Sequence, residues 1–241
     1  MRSTSEWMAE LKKRGLSVKT LTPEERAAKE IADAQRITAE WKAQERTKYA
    51  RMSLWGETQE RLFQFSNWEP TMQTNELVAR DIGNKAYKIA KELRNGLFNV
   101  FLYGQAGAGK TSLALAIADV VKDKYTTMFV SVVEWRNMKF KSFNDNSIAE
   151  RLNVVERFMK EVDVLILDDF GKETQTEAKE TVSAMLFELA DARRGKATMI
   201  TSNDNLAGLS NKYDAATLSR LITKDTTHTI STNKLADVRK V

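Results

Sequence analysis

The chain has 241 residues, 42% hydrophobic and 29% charged, with a formal net charge of +5. This composition suits a globular protein with one sizeable core plus an appendage, and no run approaches the roughly 18 apolar residues of a membrane span. Cysteine is absent and His228 is the single histidine, which excludes disulfides, thiolate zinc sites and histidine metal clusters.

In chain order, the opening stretch "MRSTSEWMAELKKRG" has no apolar signal core, and the expected compartment is the cytoplasm. Thr22 then reads as a helix N-cap, followed by Pro23 at the first helical position and Glu24 and Glu25 in the first turn. No glycine interrupts the chain until Gly56, so one long helix or two abutting helices are expected. The apolar residues of this stretch, among them Ile31, Ala34, Ile37, Trp41 and Ala43, form a thin stripe. Such a helix packs lightly or serves a partner. "FQFSNWEPTMQTN" reads as a linker, which sets an expected domain boundary near residue 66: a small α-helical domain over 1–65 and a second domain over 66–241.

Beyond residue 75 the pattern changes. The helical stretch "NELVARDIGNKAYKIAKELRNG" ends at Gly96. The apolar runs "LFNVFLY", "YTTMFVSVV", "VDVLILDD", "ATMITSN" and "THTIST" then alternate with helical segments. Alternating strands and helices predict an α/β domain with a parallel sheet and helices on both faces.

Three of the ten glycines fall within six positions, in "GQAGAGKTS". Gly104, Gly107, Gly109, Lys110 and Thr111 form G-x-x-x-x-G-K-T, the phosphate-binding loop, between a predicted strand and a predicted helix. Glycine lets the backbone turn tightly and bring its N–H groups close to a polyphosphate. The stretch from Gly104 through Gln105, Ala106, Gly107, Ala108, Gly109, Lys110 and Thr111 to Ser112 is therefore expected to cradle a nucleoside triphosphate, with Lys110 on the β- and γ-phosphates and Thr111 on Mg²⁺.

The segment "EWRNMKFKSFND" interleaves Trp135, Phe140 and Phe143 with Arg136, Lys139 and Lys141. Aromatic surfaces beside cations suit single-stranded nucleic acid, while aromatics at helical spacing also suit a core; both readings stand at this stage. "VDVLILDDFG" supplies the acidic partner that a phosphate loop requires: Asp168 for Mg²⁺ and Asp169 for the attacking water. Asn203, at the end of the following strand, is suited to hydrogen-bond a γ-phosphate or the water. "DAATLSRLIT" places Arg220 on a short helix, and "NKLADVRKV" offers Arg239 after the last strand.

Over roughly residues 66 to 241 these residues resemble the AAA+ ATPases, and in particular the DnaC/DnaI-type replicative helicase loaders, many of them phage-encoded. The resemblance rests on "GQAGAGKTS" as Walker A, "VLILDDFG" as Walker B, "ITSN" as sensor 1, "LSRLI" as the arginine-finger helix and "ADVRK" as sensor 2. It implies that ATP and Mg²⁺ are the cofactors and that Arg220 reaches ATP on a neighbouring copy. It further implies that Arg239 acts in cis, that residues 1–65 grip a hexameric replicative helicase, and that the ATPase domain self-associates and contacts single-stranded DNA. The family usually carries Asp-Glu at the Walker B end, so Asp168-Asp169 implies slow hydrolysis. An IstB-like transposition helper is the nearest alternative; a nucleotide kinase and a nucleotide-gated adaptor are more distant ones.

Overall fold

Thr22 opens the first helix through a reciprocal cap. Its Oγ1 accepts the Glu25 amide at 3.2 Å, while the Glu25 carboxylate accepts the Thr22 amide at 2.8 Å. The resulting helix α1 runs over Pro23–Arg51. The structure, a computed structural model, describes residues 13–14, 21–56, 62–172, 179–223 and 225–238. By contacts the chain divides into two units, Met1–Gln44 and Glu45–Val241.

In the first unit α1 carries its thin stripe exposed: Ile31, Ile37 and Trp41 each keep about 60% of their surface. The second unit takes in more of the N-terminal stretch than the expected boundary near 66 allows. Tyr49 is buried and meets Phe158 edge-on, with ring centroids 5.0 Å apart. The Leu54 amide donates to Phe129 O and Leu54 O accepts the Ser131 amide, both at 2.8 Å, forming a parallel bridge. Trp55 stacks on Phe129 at 4.1 Å. Residues 45–56 therefore cover what would otherwise be an open sheet edge, a tertiary demand that composition does not reveal.

The elements that follow in the second unit are α2 (Glu76–Leu93), β1 (Val100–Tyr103), α3 (Lys110–Val121), β2 (Thr127–Ser131), α4 (Val132–Ser142), α5 (Asn146–Glu161) and β3 (Val164–Phe170). After these come α6 (Lys179–Ala192), β4 (Ala197–Ser202), α7 (Leu206–Ser210), α8 (Ala215–Leu221) and β5 (Thr229–Ser231). All five strands pair in parallel in the order β2-β3-β4-β1-β5, the α/β sheet that the alternation predicts.

Side chains alternate across each strand, and both faces are buried. Phe101, Met128, Val130, Leu165, Leu167 and Ile200 pack on one side with residues of α4, α5, α6 and α8. Val100, Leu102, Phe129, Val164, Ile166, Met199 and Ile230 pack on the other with α2 and α3. Burial on both faces is why the strands read as apolar runs rather than as alternating patterns. The order puts β3, β4 and β1 side by side, so the residues at their C-terminal ends, Asp168, Asn203 and Gly104, meet at one rim.

Candidate nucleotide site

The rim begins with the loop between β1 and α3. Gly104, Gly107 and Gly109 have φ of 145°, 72° and 84°, values that side-chain-bearing residues rarely adopt. Gly109 is also crowded: a Cβ there would lie 2.7 Å from the Trp68 ring. The predicted linker is thus part of the site wall. Trp68 sits between two short 3-10 turns, Phe65–Asn67 and Pro70–Met72, and its indole N–H donates to Ala79 O at 3.0 Å.

Lys110 heads α3 and is buried. Its ammonium donates to Gly104 O and Gln105 O, both at 2.8 Å, and to Asn203 Oδ1 at 2.9 Å. Thr111 Oγ1 donates to Asp168 Oδ1 at 2.8 Å. Lys110, Thr111, Asp168 and Asn203 are therefore linked across three segments far apart in sequence. Burial pushes the Asp168 carboxyl above its ordinary pKa, the hydrogen bonds from Thr201 and Thr111 oppose that rise, and the neighbouring Asp169 adds to it.

β3 does not reach Asp169 as a regular strand. Its pairing with β4 shifts register between Leu167 and Phe170, and Asp169 takes φ 60°. This irregularity, rather than simple fraying at a strand end, separates the two adjacent carboxylates. Asp169 pairs with Lys172 at 2.8 Å, and its amide donates to Thr201 Oγ1 at 3.1 Å.

The segment after β5 runs along the phosphate loop. Gln105 Nε2 donates to Leu235 O, and the Val238 amide donates to Gly107 O at 3.3 Å. The Gln73 side chain grips Ala236 from both sides, accepting its amide at 2.7 Å and donating to its carbonyl at 3.1 Å. Arg239, the expected sensor 2 residue, lies outside the described residues. Arg220 packs against α6, with its guanidinium 5.0 Å from the centre of the Phe187 ring and Nε 3.6 Å from Asp191 Oδ1.

In α4 the expected nucleic-acid residues divide. Trp135 is only 2% exposed and its indole N–H donates to Glu156 Oε1 at 3.0 Å, so it cannot stack on a base and that expectation is corrected. The helical repeat puts Val132, Trp135 and Met138 on one face, against the core. Arg136 is half-buried and donates to Asn137 Oδ1 at 2.8 Å. Lys139 and Phe140 are half-buried, Lys141 and Phe143 are exposed, and the two phenyl rings meet edge-on at 5.8 Å.

Sequence reasoning passed over Trp68, Gln73, Lys172 and Thr201. Only Thr201 carried a signal: a polar residue in the apolar run "ATMITSN", two positions before Asn203.

A parallel five-stranded sheet, a glycine loop heading a helix, and a buried lysine and aspartate at adjoining strand ends define a P-loop ATP-binding protein of the AAA+ type. Residues 66–235 match the family described as IstB-like ATP binding protein, and the chain belongs to that family. It is 30% identical over 120 residues to the uncharacterized protein YdaV of Escherichia coli (strain K12), covering 49% of this chain and 47% of that one. It is 40% identical over 78 residues to the replicative helicase loader DnaI of Bacillus subtilis (strain 168), covering 32% and 24% respectively. The chain thus spans about half or less of the length of these relatives. A crystal structure of DnaI superposes with TM-score 0.52 and 22% identity over 65% of this chain and 86% of that one, a likeness of fold. Among the described residues no helix is long and apolar enough to cross a membrane.

Proposed function

We propose that this chain is an ATP-hydrolysing loader that delivers a hexameric replicative DNA helicase onto single-stranded DNA. The observation that carries the ATPase part is the hydrogen-bonded convergence of Lys110, Thr111, Asp168 and Asn203 at one rim of the sheet. On this reading the amides of the loop from Gly104 to Ser112 and the Lys110 ammonium hold the phosphates. Thr111 and Asp168 would hold Mg²⁺, and the pair fits such an ion: a hydroxyl and a carboxylate 2.8 Å apart are the hard oxygen donors that Mg²⁺ takes, one or two at a time, beside water and phosphate. When bound, the ion neutralises charge on the triphosphate. Asp169, withdrawn from Lys172, accepts the proton of the attacking water at a carboxylate oxygen. Asn203 accepts from Lys110 at Oδ1, and its Nδ2 amide group donates to the γ-phosphate or to that water. Arg220 turns from Asp191 toward the ATP of a neighbouring copy, and Arg239 acts within its own site. The short Asp169 side chain makes turnover slow, stimulated by DNA or by the partner.

The loader part is supported by the likeness to DnaI of Bacillus subtilis and by the exposed Ile31, Ile37 and Trp41 on α1, which offer a helicase an apolar face. Residues 1–65 supply that grip. Lys139, Phe140 and Lys141, with Phe143 beside them, meet single-stranded DNA. The protein acts in the cytoplasm of a bacterium, phage-infected or not.

The test is light scattering after size-exclusion chromatography of the chain mixed with the host's hexameric helicase, with and without ATP, alongside an Ile37→Asp/Trp41→Ala variant. A complex formed by the wild type and lost in the variant is the expected result. No complex of the wild type under either condition would sink the loader reading. It would favour a second one, which the IstB-like family match supports: a transposition helper that engages a transposase and duplex DNA.

A further inference from the structure

The tip of β4 spends three consecutive side chains on holding its neighbours. Asn203 accepts from Lys110, Ser202 Oγ donates to Phe170 O at 2.6 Å, and Thr201 Oγ1 donates to Asp168 Oδ1 at 2.6 Å. The last of these is the most consequential. A hydroxyl has one donor and two acceptor sites. Thr201 uses its donor on the Asp168 side chain and accepts the Asp169 amide at 3.1 Å, so one oxygen ties the side chain of the first acidic residue to the backbone of the second.

Thr201 is 1% exposed and Asp168 is 8% exposed, so this link lies behind the site and out of solvent. Thr111 donates to the same carboxylate oxygen, Oδ1, at 2.8 Å. Two hydroxyls from two elements thereby fix the plane of the Asp168 carboxylate, and Oδ2 carries neither bond. The link also falls where β3 breaks register with β4 and Asp169 sits at φ 60°. A non-glycine residue keeps such a conformation only where its surroundings over-determine it, and the Asp169–Thr201 bond is one such restraint.

We propose that Thr201 is a positioning residue for the hydrolytic site, orienting Asp168 toward the metal and holding Asp169 at the bend from which it reaches water. The inference rests on the ATPase reading above. Thr201 touches neither substrate nor metal; it acts through the two carboxylates. Outer hydrogen-bond partners of metal ligands typically govern metal affinity or activity by ~10–100-fold.

Thr201→Val keeps the shape and β-branching of the side chain and removes both bonds; Thr201→Ser keeps both bonds. Thr201→Ala removes them while leaving room for water, and serves if the valine packs poorly against the carboxylate. Binding of a fluorescent ATP analogue without metal should match the wild type in all three. Mn²⁺ binding to the protein–nucleotide complex, followed by electron paramagnetic resonance, should weaken about tenfold in the valine and alanine variants and recover within about twofold in serine. kcat should fall with the same pattern while KM for ATP moves little. Wild-type Mn²⁺ affinity in both hydroxyl-free variants would overturn the positioning role while leaving the ATPase reading intact. A wild-type protein that neither binds Mn²⁺ with nucleotide nor hydrolyses ATP would overturn the ATPase reading and this inference with it.

Discussion

Arg193 is an arginine that the fold has made internal, and its replacement by methionine should cost the protein about a third of its stability. The side chain is 3% exposed, yet each of its N–H groups has an acceptor. Nε donates to Thr198 Oγ1 at 3.0 Å. One terminal nitrogen donates to Met159 O at 2.6 Å and Val162 O at 2.9 Å, and the other to Ala197 O at 2.5 Å and Asp163 O at 3.5 Å. These carbonyls belong to the end of α5 and to the starts of β3 and β4, so one guanidinium closes a helix C-terminus and ties together the two strands that carry the site. Burial lowers its pKa to about 9, which leaves it charged at neutral pH. Arg193→Met keeps the apolar bulk and strands three well-bonded carbonyls, at about 1–3 kcal/mol each, while relieving the desolvation of the cation. The net loss should be about 3–5 kcal/mol against the 5–15 kcal/mol of a typical domain, which lowers Tm by roughly 6–20 °C. Circular dichroism melts and urea titrations measure it. A loss below about 1 kcal/mol with an unchanged m-value would show that the network contributes no more than an ordinary hydrogen bond, and would refute the reasoning.

Other changes read the nucleotide site. Lys110→Ala should weaken ATP binding by roughly 10–150-fold, the range for one hydrogen bond to a charged group, in a fluorescence titration; unchanged affinity would refute its phosphate role. Asp168→Asn concerns a group whose pKa in the folded protein lies above its unfolded value. The unfolded chain therefore ionises first, and the group costs stability as pH rises from about 3.9 through the raised folded value. The variant should gain in Tm relative to the wild type between pH 4 and pH 7 while losing metal-dependent hydrolysis; a Tm difference that does not change with pH would refute the burial argument. Arg220→Ala should leave ATP binding intact and slow hydrolysis by roughly tenfold or more, with loss of ATP-dependent assembly; wild-type values for both would make Arg220 a surface residue that merely covers Phe187.

What the sequence determined by itself was local. Glycine spacing specifies a loop because glycine adopts the φ values of Gly104, Gly107 and Gly109 without the steric cost a Cβ brings. The cap at Thr22 and the apolar strand runs follow from groups a few residues apart, and their order is enough to imply a parallel sheet. The polar tips of those runs likewise marked Asp168 and Asn203. What only the tertiary structure decided involves partners distant along the chain. Trp135 was open to two readings until α5 supplied Glu156 for its indole and a core for its ring. The linker became a wall of the site because Trp68 fills the space beside Gly109, and residues 45–56 joined the second unit because β2 needed a neighbour at its edge. Arg193 looks like an ordinary polar residue in the sequence, and Thr201 stands out only as a polar residue within an apolar run. Their importance comes from burial, since an enclosed polar group must find its partners within the protein, and those partners are brought to it by the fold.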